Sequence, residues 1–357
     1  MKNQVKSLNK NRGPLNLKYQ TMLLLTVPLI VLGLIVALTG RSLFINIFTA
    51  FCINLVMVTG LQVFMGNSGI LNWSHIGFMG IGAYASAIFS TSSVTKNLAA
   101  PNLYPFLNRV QIPVIPAILL GGLIAAIVAA VIAWPLMRLS DAVGVITIYA
   151  TLIVMHVILT QWDNITNGPR TFFGVEAYTT IWIALISAVL IICFALFFKN
   201  SALGLKLRAS RDDRYAAASI GISVVRVRYF TFVISAFLAG FGGGIWAHFI
   251  TSFSPKSFYI TDFFTLLTML VIGGASSVSG AVAGTTIVTV TRELLRQVES
   301  VLSNMETGRL EFFGLTEIIL AIFMISVLVF NPDGIARGRE LTFPRPKRRK
   351  GTLSEKK

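Results

Sequence analysis

The chain is short of charge, of acids in particular, and of cysteine. Only 12% of its 357 residues are charged, against about 25% in a soluble domain. With 55% hydrophobic residues gathered into repeated runs of about 20, this excludes an ordinary water-soluble fold and indicates a polytopic membrane protein. The two cysteines, Cys52 and Cys193, both sit in apolar runs, which excludes a disulfide framework and a CxxC metal site. His75, His156 and His248 are far apart and there is no HExxH, so a zinc site is not expected. No GxxxxGK[ST] occurs, so the chain has no P-loop grip on ATP. Its glycine clusters lack the strand–turn–helix context of a dinucleotide site, and no nucleophile–base spacing suggests a membrane-embedded enzyme. The apolar run from Met22 follows a basic start but ends at Gly40–Arg41 without an A-x-A cleavage site. It reads as a retained spanning helix and not as a secretory signal.

What the chain does have is positive charge, +16 net. Five basic residues and no acid fall in the first 18 positions, seven between Lys199 and Arg228, and nine between Arg337 and Lys357. Each cluster abuts an apolar run. That is the positive-inside pattern, and it predicts that both tails and the 199–228 loop are cytoplasmic. The closing Lys347-Arg348-Arg349-Lys350 suits anionic membrane lipid better than nucleic acid, which is not expected as a partner.

The apolar runs fall at roughly 22–40, 43–65, 69–91, 113–137, 141–162, 178–198, 229–250, 263–274, 279–298 and 312–330. Helices are the only open-ended way to satisfy a backbone in hydrocarbon. The expected fold is therefore all-α, with about ten membrane segments (eight to ten) and both termini cytoplasmic. Six crossings return the chain to the inside at the 199–228 loop and four more return it for the basic tail. The 263–274 run is too short to cross about 30 Å at 1.5 Å per residue, so it reads as a half-helix or re-entrant piece. The expected division is a basic tail over 1–21, a transmembrane domain over 22–331 that includes the 199–228 loop, and a second basic tail over 332–357.

Two stretches break their helices with almost no loop. One is "GNSGILNWSHIGFMGIG", with Gly66, Asn67, Ser68, Gly69, Asn72 and Ser74; the other is "GGASSVSGAVAG", with Gly273, Gly274, Ser276, Ser277 and Gly280. Non-helical backbone survives at membrane depth only when buried in protein or lining a wet cavity. Broken helices of this kind build substrate sites in transporters, because their ends expose N–H and C=O groups. These residues are the candidate translocation path, with free helix N-termini expected to meet a carboxylate and open carbonyls an ammonium. The competing reading is close packing, since Gly280 and Gly284 form a GxxxG, as do Gly240 and Gly244. Packing is preferred for the Gly240 pair. His156 and Glu317 are ionisable groups inside spans, where a functional role is the default; for His156 a neutral, hydrogen-bonded ring is preferred.

The loop reads "KLRASRDDRYAAASIGI". Ser210 and Asp213 have the spacing of a capping box, Asp212 and Asp213 suit a helix N-terminus, and Gly221 is a natural stop. A short cytoplasmic helix is expected, shaped to enter another protein's groove.

This stretch resembles the coupling loop of ATP-binding-cassette importer permeases, whose Ala-Ala-x-x-x-Gly core is matched by Ala216, Ala217 and Gly221. "GNSGILNWSHIGFMGIGAYASA", "FVISAFLAGFGGGIWA", "MLVIGGASSVSGAVAG" and "FNPDGIARGR" are similar, in order, to motifs of the branched-chain amino acid type of permease, M-type. The resemblance covers about residues 50–340. Arg214 departs from it, standing where that family often has an acid. The resemblance implies a transport subunit with no ATPase site and no cofactor of its own. It implies a second homologous permease, two cytoplasmic ATPases docked through Ser210, Asp212, Asp213, Ala216, Ala217 and Gly221, and an extracytoplasmic binding protein. The implied substrate is a branched-chain amino acid, with urea, amides and other amino acids carried by related systems. An ion-coupled secondary transporter or channel for a small polar solute is the alternative reading.

Overall fold

The computed structural model describes residues 14–139, 141–305, 315–331 and 333–342. The longer helices are α1 Pro14–Thr39, α2 Ser42–Ser68, α3 His75–Ser90, α4 Val114–Leu136, α5 Asp141–Gln161, α6 Ile181–Lys199, α7 Ala202–Asp212, α8 Arg214–Ser219, α9 Val224–Ile250, α10 Ile260–Gly273, α11 Val278–Met305 and α12 Leu315–Phe330. Shorter helical turns at Ser93–Ala99, Pro105–Arg109, Asp163–Thr166 and Pro255–Phe258 cover one end of the bundle. Among the described residues no strand forms. A single antiparallel bridge joins Phe172 to Phe253, the two residues exchanging N–H···O bonds of 2.8 and 3.0 Å.

Six helices among the described residues are long and apolar enough to cross a membrane, and the α10–α11 pair makes a seventh if its 120° bend is counted within one span. This is fewer full-length helices than the ten apolar runs. The 69–91 run spends its first residues on non-helical backbone, leaving α3 with 16 residues. That is about 24 Å, short of the roughly 30 Å of hydrocarbon. Helix α12 is equally short. Glu317 lies on it, outside the residues whose side chains are described. The basic tails over 1–13 and 343–357 also lie outside the described residues.

Helix α9 is the centre of the bundle, packed against α4, α3 and α2, while α6 packs on α2 and α1. Glycine makes this possible. A Cβ on Gly82 would strike the Gly240 carbonyl, one on Gly121 the Gly82 carbonyl, and one on Gly243 the Met79 carbonyl. Three helices therefore meet backbone to backbone, the small-residue mode of membrane helix packing. The packing role expected for Gly240 is what the geometry shows. The outward faces are apolar, for example Leu23, Ile30 and Leu38 on α1 and Ile146 and Val154 on α5, as a lipid-facing surface requires.

The histidines stitch the interior. His75 is buried, with Nε2 3.1 Å from the Met57 carbonyl and Nδ1 3.4 Å from Ser235 Oγ. His248 bridges the Glu176 carbonyl at 2.9 Å and Ser86 Oγ at 3.0 Å. His156 stacks on Tyr259 with ring centroids 4.2 Å apart. Among the described residues no His, Cys, Asp and Glu cluster could hold a metal.

Candidate functional site

The first break is shorter than its sequence suggests. Gly66, Asn67 and Ser68 complete α2, and the helix ends on Gly69, whose φ of 72° places it in the left-handed region and whose N–H returns to the Met65 carbonyl at 3.0 Å. This is a glycine C-cap. Ser68 Oγ accepts from the Ile70 N–H at 3.1 Å. Ser74 Oγ donates to Asn72 Oδ1 at 2.8 Å, and the His75 N–H reaches the Asn72 carbonyl at 3.4 Å. Asn67, Asn72 and Ser74 are buried, and the Asn67 amide donates to the Val63 carbonyl. The polar residues of this stretch close the break itself.

The second break is a sharp turn. Helix α10 ends at Gly273, and Gly274 adopts φ 107°, a conformation that only glycine enters without strain. Ser277 Oγ accepts from the Gly280 N–H at 3.0 Å, so Ser277 caps α11. A Cβ on Gly273 would collide with the Gly280 carbonyl, and one on Gly284 with the Met269 carbonyl. Here the GxxxG does serve packing, holding α10 and α11 in backbone contact around the turn.

The N-terminus of α11 is not free, contrary to the sequence-based expectation. Glu340, 62 residues further on, accepts from the Val278 N–H at 2.9 Å, the Ser279 N–H at 2.9 Å and Ser279 Oγ at 2.6 Å. The same carboxylate pairs with Lys199 at 2.5 Å, the side chains being 19% and 8% exposed. Burial alone would raise the Glu340 pKa, but the Lys199 charge and the hydrogen bonds from Lys199 and Ser279 hold it below the usual carboxylate value. An anion at a helix N-terminus is a favourable arrangement, and this protein supplies its own. The segment leading to Glu340 also closes α10. The Ile335 and Ala336 N–H groups donate to the carbonyls of Ile272 and Gly273, both at 3.0 Å, meeting orphan acceptors of the helix end. Beyond it, the Leu341 N–H reaches Ser279 Oγ, and Thr21 Oγ1 on α1 donates to the Leu341 carbonyl at 2.9 Å. The "FNPDGIARGR" stretch thus straps the second break.

The two breaks touch. A Cβ on Gly66 would meet the Ala275 carbonyl, which also accepts from Gln62 Nε2 at 3.4 Å. Between them opens a cavity of about 480 Å³, walled by Gly66, Ser68, Gly69 and Ser276 together with Arg211 and Asp333. Of the sequence-derived path residues, these four line it. Asn67, Asn72, Ser74, Gly273, Ser277 and Gly280 stand behind the wall, and Gly274 packs against the Asp333 backbone.

The 199–228 loop folds as two helices, not one. Ser201 Oγ caps α7 through the Gly204 N–H. Ser210 lies buried within α7, donating to the Leu207 carbonyl, so the expected capping box does not form. Asp213 is itself the cap of α8, accepting from the N–H groups of Tyr215 and Ala216 at 2.8 and 2.9 Å. Asp212 ends α7. Gly221, at φ 86°, turns the chain away after α8. Ala217 is 3% exposed, whereas Tyr215 is 86% and Ile220 75% exposed, and Ala216 faces outward with them. Two contacts tie this loop to the breaks: Arg211 Nη1 donates to the Gly66 carbonyl at 2.8 Å, and Arg208 Nη2 to the Lys199 carbonyl at 2.9 Å. Lys199 Nζ in turn reaches the Ser276 carbonyl at 2.8 Å.

A family model for the branched-chain amino acid transport system permease component matches residues 43–328. The chain belongs to this family. It is a multi-pass membrane permease subunit of the ATP-binding-cassette importer class, which decides against the ion-coupled alternative. The permease is 26% identical over 327 residues to the high-affinity branched-chain amino acid transport system permease protein LivM of Salmonella typhimurium, the match covering 82% of this chain and 69% of that protein. The LivM of Escherichia coli matches to the same extent. The guanosine ABC transporter permease protein NupQ of Bacillus subtilis is 29% identical over 231 residues, 59% of this chain and 69% of that one. No solved structure matches. The family match stops before Glu340, the residue that closes the second break.

Sequence reasoning missed Glu340 and Lys199 as partners because 141 residues separate them. It also missed Asp262 and Arg292. Arg292 was visible as a charge inside an apolar run, which is the signal to look for.

Proposed function

We propose that the permease passes branched-chain amino acids inward as one half of a translocation unit, beside a second homologous permease. In this reading two cytoplasmic ATPases dock on α8, and an extracytoplasmic binding protein delivers the substrate. Both termini and the α7–α8 loop lie in the cytoplasm, and the chain contributes eight to ten membrane segments, including the broken ones. The LivM relatives support the substrate class. The observation that carries the docking assignment is the α8 surface. Tyr215, Ala216 and Ile220 project from the capped α8 and its end, and α8 follows directly on α7, whose Arg211 and Arg208 reach the cavity wall and the Lys199 carbonyl. A push on α8 would therefore reach both breaks. The cavity at the breaks is read as the inner part of the path.

Two substitutions separate docking from folding. Ala216→Glu alters only the exposed face and is expected to cut leucine uptake about tenfold or more and to lose ATPase co-purification, with normal permease levels. Ala217→Glu buries a charge and is expected to lower the amount of folded permease instead. Retained uptake and ATPase co-purification in Ala216→Glu would remove the docking assignment. For orientation, a cysteine at exposed Arg170 should react with an impermeant thiol reagent from outside, and one at exposed Ser219 only after permeabilisation. Asn167 in the same outer loop is buried, its amide bonded to the Ala99 carbonyl at 2.6 Å, and is unsuited to labelling.

A further inference from the structure

A second cavity, of about 190 Å³, lies where α2, α3, α9, α10 and α11 converge, its wall on α3 beginning at Ile76, two residues after Ser74 of the first break. On α2 its wall includes Met57, eleven residues before Ser68; on α11 it includes Arg292, fourteen residues after Val278. At 1.5 Å per residue these stand about 16 and 21 Å from the break end of the bundle, towards the opposite membrane face. The space would hold on the order of six waters at about 30 Å³ each, the scale of a small amino acid.

The lining is mixed. Ile53, Met57, Ile76, Met79 and Leu266 are apolar, Asn54, Ser257 and Thr265 are polar, and Asp262 and Arg292 carry opposite charges. Both charged residues are exposed to the cavity and its mouth. They sense one another electrostatically, yet among the described residues no direct ion pair joins them. Charges at this depth are costly unless they face water, a partner or a ligand. One cation and one anion across a small space, without contact, leave room for a molecule that carries the reverse of both. A free carboxylic acid would strand Asp262 and a simple amine would strand Arg292, and an unpaired charge in a confined site is the strongest source of discrimination. The aliphatic wall adds burial of the side chain, about 25 cal/mol per Å².

The geometry points to this cavity as a binding site for an α-amino acid zwitterion on its way through the permease. Arg292 takes the carboxylate, Asp262 the ammonium, and Ile53, Met57 and Leu266 the aliphatic chain. This assignment rests on the amino acid transport reading above and places recognition deeper in the bundle than the turn of the second break.

The complete importer, reconstituted in liposomes with its binding protein, tests it. Leucine uptake and ATP hydrolysis stimulated by leucine-loaded binding protein are measured for the parent, Asp262→Asn, Arg292→Gln and Arg292→Lys. Asp262→Asn and Arg292→Gln are expected to lose about tenfold or more in uptake, with stimulated hydrolysis kept within about twofold, and Arg292→Lys to recover most of the loss. Uptake within about twofold of the parent in both neutral variants overturns the site. So does a parallel fall in stimulated hydrolysis, which would make these charges a docking face for a neighbouring subunit. Should the neutral variants fail to assemble, Ala50→Leu narrows the same cavity without touching either charge. It is expected to shift preference from leucine towards alanine, and an unchanged preference overturns the site. A parent importer that takes up no amino acid instead sinks the transport reading, and this assignment with it.

Discussion

At Gly69–Ser74 the groups freed by the break are met mostly from next door, the Gly66 carbonyl, which Arg211 reaches from 145 residues away, being the exception. Gly69 reaches back four residues, Ser68 forward two, and Asn72 and Ser74 hold each other. At Gly274–Ser277 they are met largely from a distance. Ser277 caps locally, but the carbonyls of Ile272 and Gly273 and the N–H groups of Val278 and Ser279 depend on residues 335, 336 and 340, with Lys199 supplying the countercharge. Two stretches of nearly the same composition thus differ in how far away their closure is coded. Glycine and serine announce that a helix stops; they do not say whether the open ends are kept for a ligand or filled by the chain.

The comparison breaks most sharply at the glycines. Gly273→Ala sets a methyl group against the Gly280 carbonyl and the Gly284 N–H, backbone atoms that cannot swing aside. A loss of about 3 kcal/mol or more is expected, seen as the disappearance of monodisperse permease after detergent extraction. Gly69→Ala meets only the flexible Arg211 side chain and is left with the strain of a positive φ, about 1–2 kcal/mol, so most of the protein should survive.

Next in size is Glu340→Gln, which leaves Lys199 buried without its countercharge. A loss of about 3 kcal/mol is expected at neutral pH, read by thermal unfolding. Because the folded pKa of Glu340 lies below its ordinary value of 4.5, the stabilisation is fully present above that value and is lost as pH falls through the folded one. The gap between parent and variant should therefore begin to narrow below pH 4.5 and close as the pH falls through the folded value. A gap that persists there would mean that the carboxylate acts through shape and not charge.

Smallest in stability is Ser68→Ala, which removes one local acceptor from the first break, about 1 kcal/mol. A larger effect on uptake than on stability would show that the first break does more than close itself.

The sequence was most legible where a signal is local. The all-helical membrane class, the positions of both breaks and the Gly221 stop after α8 could be read from composition, runs and caps. The full-length crossings could not be counted, because the 69–91 run looks continuous in hydropathy although its first residues are spent on a turn. Ser210 looked like a cap because its spacing to Asp213 is right, but Asp213 competes for the same role one turn later and wins, being an acid at the N-terminal N–H groups of α8. Lys199 and Glu340 were illegible as a pair, since nothing in either neighbourhood points across 141 residues.

The distance coded into the second break also has a consequence in time. When Val278, the first residue of α11, is added to the chain, the residue that will occupy that helix end is still 62 positions from being made. At about 5–20 residues per second that is a wait of several seconds, during which the turn has Ser277, its glycine contacts and the bonds from Gln62 and Lys199 to its carbonyls but no Glu340, and Lys199 has no counterion. The strap then reaches Thr21 on α1, 320 positions earlier, so this contact of α1 is made only late. Completion of this subunit is a late, single event, and any chaperone or partner that steadies the young chain would act in that interval.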